Sequence, residues 1–217
     1  MAKHRVSAIF PVGTGRLDRG WAGAHSQAMS RFVRAAAALA VLALPATAQA
    51  ELPVGARAPD FTAQSAMAGR VQSFNLRAAL RRGPVVLYFF PKAFTEGCTL
   101  ETRAFAEAMD GFSAAHATVI GMSADDIPTL QRFSTEGCRS KFAVAAATPG
   151  IVRAYDVAMK ASAMPPERRA AMPAGLTGRT SYVIAPDGRV RFVHSDLDYR
   201  DHVRLTLAAV QRLSRHR

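Results

Sequence analysis

The chain has 217 residues, which allows one domain, or one domain with a leader. Its hydrophobic share of 49% and its mean hydropathy of +0.04 fit an ordinary soluble core and exclude a disordered or polytopic chain. The net charge of +12 raises the question of nucleic-acid binding. The basic residues of the chain after position 50 stand singly or in pairs, without interleaved aromatic residues or a nucleic-acid motif. We therefore expect a solvated basic surface and no specific nucleic-acid partner.

Residues 29–50 have the pattern of a secretory signal peptide. Arg31 and Arg34 precede the apolar residues 35–44, and Ala48-Gln49-Ala50 forms a small-x-small cleavage site. The apolar run is shorter than the about 20 residues that a membrane-spanning helix needs. We therefore expect cleavage after Ala50 and a periplasmic or secreted mature chain without a membrane anchor; a buried or amphipathic N-terminal helix is the alternative.

The sequence on either side of this leader divides the chain further. Residues 1–28 show neither a periodic pattern nor a signal, so we expect a non-structural extension, with Met29 as the better start for the export signal. Residues 51–217 carry no linker or repeat, and they keep 22 basic and 15 acidic residues, a net charge of +7. We expect them to form a single domain. The cysteine and histidine spacings give no support to a structural metal site, and no cofactor is expected.

Strand and helix patterns alternate along residues 51–217. The apolar residues 85–90, between Gly83-Pro84 and Pro91, predict a strand that is buried on both faces. The pattern then predicts, in chain order, a helix over 100–112, a strand over 118–122, a helix beginning at 128, a weaker strand over 142–147, a short helix ending at 155, a hairpin of strands 180–184 and 189–193, and a helix over 202–213. This order predicts an α/β domain of thioredoxin-like topology, a mixed central sheet with helices on both faces. Residues 157–178 lack a clear period and predict a surface insertion.

Cys98 lies where the first buried strand gives way to the first long helix. Within the first turn of a helix, unpaired backbone N–H groups and the positive end of the helix dipole face the side chain. Both favour the thiolate, the reactive form of cysteine, and the position after Gly97 predicts an exposed thiol. Thr95 can direct its hydroxyl toward the sulfur, and Pro91 ends the strand and shields the site from water.

The segment from Pro91 to Cys98, Pro-x-x-x-Thr-x-x-Cys, resembles the active-site pattern of the peroxiredoxins. Its surroundings are similar to the bacterioferritin-comigratory (PrxQ) subgroup, as are residues 54–61 and the arginine-bearing strand and hairpin of 178–188. The resemblance covers nearly all of residues 51–217. It implies a thioredoxin-like fold and a thiol-dependent peroxidase that reduces hydrogen peroxide or organic hydroperoxides. It further implies an external thiol reductant, either a thioredoxin-like protein or a small thiol, and a monomer.

The resemblance also implies a role for each matching residue. Cys98 attacks the peroxide and becomes a sulfenic acid, Thr95 holds the peroxide, and Arg179 stabilises the thiolate and the departing oxygen. How the sulfenic acid is resolved stays open, because Arg103 stands where many members of the subgroup carry a second cysteine. Cys138 is one candidate, through a disulfide with Cys98; a one-cysteine enzyme recycled by an external thiol is the other.

Two further classes of function compete with the peroxidase. An exported thioredoxin-fold disulfide oxidoreductase would carry a Cys-x-x-Cys pair at the helix start, where this chain has Thr95 and a single cysteine. A non-catalytic thioredoxin-fold module would use Cys98 and Cys138 only as a disulfide staple. Glu101 is explained equally well by helix capping, a salt bridge or catalysis, and Tyr88 by the core.

Overall fold

The computed structural model describes residues 51–160, 162, 166–169 and 175–215. The predicted extension 1–28 and the predicted signal peptide 29–50 lie outside the described residues. None of the helices formed by the described residues has the length and apolarity to cross a bilayer.

The described residues form strands and helices in alternation. The strands are β1 (Thr62–Met67), β2 (Arg70–Asn75), β3 (Val85–Phe89), β4 (Thr118–Ser123), β5 (Ala143–Ala146), β6 (Thr180–Ile184) and β7 (Val190–Ser195). The helices are α1 (Leu76–Leu80), α2 (Glu96–Glu107), α3 (Met109–Ala114), α4 (Ile127–Glu136), α5 (Pro149–Ala154), α6 (Pro166–Arg169) and α7 (His202–Arg215).

All seven strands join one mixed sheet in the order β2-β1-β5-β4-β3-β6-β7. β3 pairs in parallel with β4, and β4 with β5, whereas β6, β7, β1 and β2 pair antiparallel with their neighbours. Every residue of β3 is buried, as its uninterrupted apolar run predicts for a strand covered on both faces. The predicted mixed sheet is confirmed.

Helices cover both faces of this sheet. Alternate residues of β3 point to opposite faces and therefore contribute to two separate cores. Leu87 and Phe89 pack in a core that includes residues of α1 and α5. Val86 and Tyr88 pack in a second core that includes residues of α2, α3, α4 and α7 and both cysteines. Tyr88 is therefore a core residue, as predicted.

Two features of the fold differ from the sequence prediction. The sequence patterns predict no strand or helix before residue 85, whereas β1, β2 and α1 lie in this region. β2 is exposed or half-buried throughout, so it lacks the apolar alternation that identifies a strand. The predicted helix over 100–112 begins earlier, at Glu96, and is interrupted at Ala108, whose ψ of 0° lies outside the helical range.

The predicted insertion over 157–178 is only partly a surface segment. Its two ends enter the core, since Val157 and Thr177 are buried, and Ala158 forms an isolated bridge with Thr177. The short helix α6 lies between these ends, and residues 161, 163–165 and 170–174 lie outside the described residues.

Candidate active site

The register of the sheet places Arg179 at the carboxyl end of β3. The chain continues from this end of the strand to Cys98. β6 runs antiparallel to β3 and pairs Thr180 with Phe89, the last residue of β3. Arg179 directly precedes Thr180 and therefore lies at the carboxyl end of β3. Ligand sites of open α/β sheets form outside the carboxyl ends of the strands, and this one follows that rule.

The loop that joins β3 to α2 is fixed by two hydrogen bonds. The Thr177 hydroxyl donates to the carbonyl of Phe90 at 2.6 Å, and the backbone N–H of Ala93 donates to a carboxylate oxygen of Asp125 at 2.7 Å. Between these anchors and the helix, Phe94 adopts a φ of 64°, the left-handed region that non-glycine residues seldom occupy. Such a conformation persists where the surrounding contacts determine it, which is typical of functional sites.

Cys98 is the third residue of α2, within its first turn. Thr95 occupies the N-cap position but makes no side-chain capping bond, so it leaves the first-turn N–H groups without that partner. The Cys98 side chain is only 1% exposed. The expectation of an exposed thiol is therefore wrong, because Cys98 packs in the second core with Tyr88 and Phe105 and its sulfur is in contact with Arg179.

Arg179 contacts Cys98 directly. Its Nη2 donates to the sulfur at 3.6 Å, its Nε donates to the carbonyl of Leu197 at 2.9 Å, and its Nη1 pairs with Oε2 of Glu101. Burial disfavours the charged guanidinium, but the charges of Glu101 and Cys98 outweigh that effect and raise the pKa of Arg179. The alternative of a surface strand charge is excluded, since Arg179 is 6% exposed.

The Thr95 hydroxyl takes a different direction from the predicted one. It donates its proton to the carbonyl of Lys92 at 2.9 Å and not to the sulfur of Cys98. Its lone pairs remain free to accept a hydrogen bond, since a hydroxyl donates once and accepts twice. Pro91 is half-buried in the loop before Thr95, and its predicted role in shielding the site from water stays a prediction.

Cys138 lies apart from the contacts of Arg179. It follows α4 in a turn, is 0% exposed, and belongs to the same buried core as Cys98 and Tyr88. Both cysteines are free thiols. Burial raises the pKa of the Cys138 thiol well above its usual range, so in this conformation Cys138 is a weak nucleophile.

Comparison with known proteins decides the family. The AhpC/TSA family matches residues 54–193. The chain belongs to the AhpC/TSA family. It is 29% identical to the chloroplastic peroxiredoxin Q of Oryza sativa subsp. japonica over 160 residues, 73% of this chain and 67% of the relative.

Solved structures agree with this family. The crystal structure of the peroxidoxin BcpB from Mycobacterium tuberculosis superposes with a TM-score of 0.63 at 25% identity, covering 75% of this chain and 98% of that one. The peroxiredoxin Q of Xanthomonas campestris, at 23% identity, shares the fold with a TM-score of 0.58 over 70% of this chain and 90% of its own. The thioredoxin-like fold and the resemblance to the PrxQ subgroup are thereby confirmed, and the chain is a thiol-dependent peroxidase acting on hydroperoxides with a thiol reductant. The alternatives of a disulfide oxidoreductase and a non-catalytic module are not favoured.

Glu101 belongs to the site, although the sequence left its role undecided. Its side chain is 0% exposed, and Oε2 forms the salt bridge with Arg179. Burial raises the pKa of Glu101 to about 8, against the opposing effect of the Arg179 charge. The spacing from Cys98 was a usable signal, because residues three apart lie on one face of a helix.

The raised pKa of Glu101 predicts a pH-dependent stability. The folded protein keeps the Glu101 proton up to about pH 8, whereas the unfolded chain releases it near 4.5. The folded state therefore binds more protons between these values, and the contribution of Glu101 to the free energy of unfolding is lost as the pH rises through this window. We expect the free energy of wild type relative to Glu101→Gln to fall across it by on the order of 1–4 kcal/mol, measured by urea unfolding.

The matched control is the exposed Glu107 at the end of the same helix. Glu107→Gln should show no comparable change with pH relative to wild type. A difference between wild type and Glu101→Gln that stays constant across the window would contradict the assignment.

Proposed function

We propose that Cys98 is the peroxidatic thiolate of this enzyme and that Arg179 and Thr95 orient and stabilise the reacting peroxide. The observation that carries this proposal is the 3.6 Å contact between Nη2 of Arg179 and the Cys98 sulfur. A guanidinium donating to sulfur favours the thiolate, as does the first turn of a helix.

The reaction proceeds by attack of the thiolate on the terminal oxygen of the hydroperoxide. The S–O bond forms while the O–O bond breaks, which leaves a sulfenic acid on Cys98 and an alkoxide that takes a proton to become the alcohol, or water from hydrogen peroxide. The Arg179 guanidinium and the N–H groups of the first helical turn stabilise the charge on the departing oxygen. The Thr95 hydroxyl donates its proton to the Lys92 carbonyl, and its oxygen therefore accepts a hydrogen bond from the O–H of the incoming peroxide.

The surroundings of the site suit organic hydroperoxides as well as hydrogen peroxide. Phe94, next to Thr95, is 43% exposed, and Leu197, whose carbonyl accepts a hydrogen bond from Arg179, is 36% exposed. These side chains offer apolar surface for the organic group. Because Cys98 itself is buried, a peroxide reaches the sulfur only when covering atoms move aside.

Replacing the proposed catalytic groups tests this assignment. We expect Cys98→Ser to abolish peroxide reduction, and Arg179→Lys to lower the second-order rate constant by about 10²-fold, because lysine cannot hold Leu197, Glu101 and the sulfur together. Single-turnover quenched-flow with hydrogen peroxide and tert-butyl hydroperoxide measures both. Arg204→Lys, an exposed arginine on α7, is the matched control and should leave the rate constant unchanged. Activity retained by Cys98→Ser would contradict the proposal.

We further propose that Cys138 resolves the sulfenic acid. Both thiols lie in one buried core, and the turn that holds Cys138 contains two consecutive left-handed residues, Arg139 with a φ of 49° and Ser140 with a φ of 59°. Such residues cost about 1–3 kcal/mol each, so local opening of this turn releases strain. The Cys138 thiol then attacks the sulfenic sulfur of Cys98, forming a disulfide and releasing water. An external thiol, from a thioredoxin-like protein or a small molecule, reduces the disulfide.

Cys138→Ser separates this route from a one-cysteine mechanism. After one equivalent of peroxide we expect a sulfenic acid that persists on Cys98, trapped by dimedone and identified by mass spectrometry, because no internal thiol remains to condense with it. With excess peroxide we expect the sulfinic acid. Turnover equal to that of wild type with the same reductant would show that Cys138 is a bystander.

We also propose a cellular location and an oligomeric state for this protein. The signal pattern of residues 29–50 supports a mature periplasmic or secreted chain beginning at Glu51. The resemblance to the PrxQ subgroup supports a monomer.

Expression of the full chain in a bacterium tests the export proposal. We expect the periplasmic fraction to contain a protein whose N-terminus is Glu51, read from its intact mass and its N-terminal peptide. Ala50→Tyr should retain the leader, because the cleavage site requires a small residue at this position. A purified wild-type protein that keeps peptides from residues 1–50 would contradict cleavage.

A further inference from the structure

The peptide group that joins Lys92 to Ala93 is hydrogen-bonded at both of its ends. Its N–H, on Ala93, donates to Oδ2 of Asp125 at 2.7 Å. Its carbonyl, on Lys92, accepts the proton of the Thr95 hydroxyl at 2.9 Å. The N–H and the carbonyl of one trans peptide lie in a plane and point in opposite directions. The Asp125 carboxylate and the Thr95 hydroxyl therefore bind opposite sides of the same group.

Asp125 is held in place by the end of β4. Its side chain is 9% exposed, and Oδ2 also accepts the hydroxyl proton of Ser123 at 2.8 Å. The backbone N–H of Asp125 donates in turn to the Ser123 hydroxyl oxygen at 3.3 Å, and Nζ of Lys92 lies 3.8 Å from Oδ1. Ser123 is buried and is the last residue of β4. The position of the carboxylate is therefore determined by the sheet.

We propose that Asp125 is a positioning residue that acts through this peptide group to keep the lone pairs of Thr95 available to the peroxide. The inference rests on the proposed role of Thr95 as the acceptor of the peroxide O–H. A hydrogen bond from an N–H to a carboxylate is stronger than one to a neutral acceptor. It also polarises the peptide, which strengthens the bond that the Lys92 carbonyl accepts. The Thr95 proton stays on that carbonyl, and the oxygen presents only lone pairs to the substrate.

Thr95 has a competing role that this restraint suppresses. It is the N-cap of α2, and the oxygen of an N-cap threonine ordinarily accepts from a backbone N–H of the first turn. In this structure Thr95 makes no such bond. Between it and Ala93, Phe94 has a φ of 64°, a conformation that persists where the surrounding contacts hold it. Without the bond to Asp125 the loop is free to relax, and capping of the helix would use the Thr95 lone pair that the peroxide needs.

Substitutions of Asp125 test the inference by the single-turnover rate constant with hydrogen peroxide. Asp125→Asn keeps an oxygen for the Ala93 N–H but removes the charge, so we expect a fall of about 3-fold. Asp125→Ala removes the acceptor, and we expect a fall of about 10-fold. The matched control is Asp126→Asn, the same change one residue along the chain. Asp126 caps α4, a role that asparagine fills equally well, so the rate constant should not change.

A double-mutant cycle with Thr95 separates positioning from a merely structural role. Thr95→Val has the same shape but no hydroxyl, so in this background Asp125→Asn should cause no further fall in the rate constant. Thr95→Ser restores a hydroxyl and should restore the sensitivity to Asp125→Asn. A fall by the same factor in wild type and in Thr95→Val would overturn the proposal, as would an unchanged rate constant in Asp125→Ala.

Alkylation of Cys98 by iodoacetamide gives a second readout, measured with Cys138→Ser so that one thiol remains. Alkylation needs the thiolate and access to the sulfur but no acceptor for a peroxide O–H. We expect Asp125→Asn to leave the alkylation rate unchanged while the rate constant with peroxide falls. A parallel fall of both rates would overturn the proposal, because it would show that the sulfur itself is displaced. Peroxide reduction by Thr95→Val at the wild-type rate would instead overturn the proposed function of Thr95, and activity in Cys98→Ser that of Cys98.

Discussion

The buried guanidinium of Arg179 is the group on which the geometry of the site depends. A buried charge is tolerated only when it is paired and hydrogen-bonded, and Arg179 meets this condition with three partners from two elements: Glu101 and Cys98 on α2, and the Leu197 carbonyl after β7. The planar fork of arginine fixes these partners relative to one another. The sulfur is therefore positioned by the register of β3 with β6 as much as by its own helix.

Burial has opposite consequences for the three ionisable side chains around the sulfur. It raises the pKa of Glu101 and lowers that of His202, the first residue of α7. At Arg179 the charges of Glu101 and Cys98 outweigh burial and raise the pKa of the guanidinium. The cluster then contains one permanent cation beside the thiol. Attack of a thiolate on a peroxide moves one negative charge from sulfur to oxygen, and a single cation within reach of both atoms can stabilise it at each stage.

The sequence was sufficient for the central part of the fold and for the residues that touch sulfur. The uninterrupted apolar run of β3 and the Pro-x-x-x-Thr-x-x-Cys spacing are local signals, and they led to the sheet and to Cys98. Arg179 was predicted from the family resemblance of residues 178–188. The hairpin of β1 and β2 was not predicted, because its outer strand β2 is exposed and lacks an apolar pattern. The sequence did not predict that His202, which is buried and hydrogen-bonded to Ser181, lies next to Glu101. A buried histidine at a helix start has no local sequence pattern, and it comes close to Glu101 only when α7 packs against β6. The direction of the Thr95 hydroxyl and the burial of Cys98 likewise depend on contacts in the folded structure that the spacing of residues in the motif does not predict.

Phe133 on α4 contacts the segments that carry both cysteines. The ring of Phe133 packs edge-on against Phe94, with centroids 5.0 Å apart, and its carbonyl accepts from the backbone N–H of Cys138 at 3.1 Å. Phe94 and the residues after Cys138 are left-handed, so strain lies on both sides of this one side chain. If Cys138 reacts as proposed, a movement of α4 that exposes it would also withdraw the ring that packs against Phe94. Under the proposed mechanism, access to the Cys98 sulfur and release of the Cys138 thiol would then both depend on this packing contact between Phe133 and Phe94.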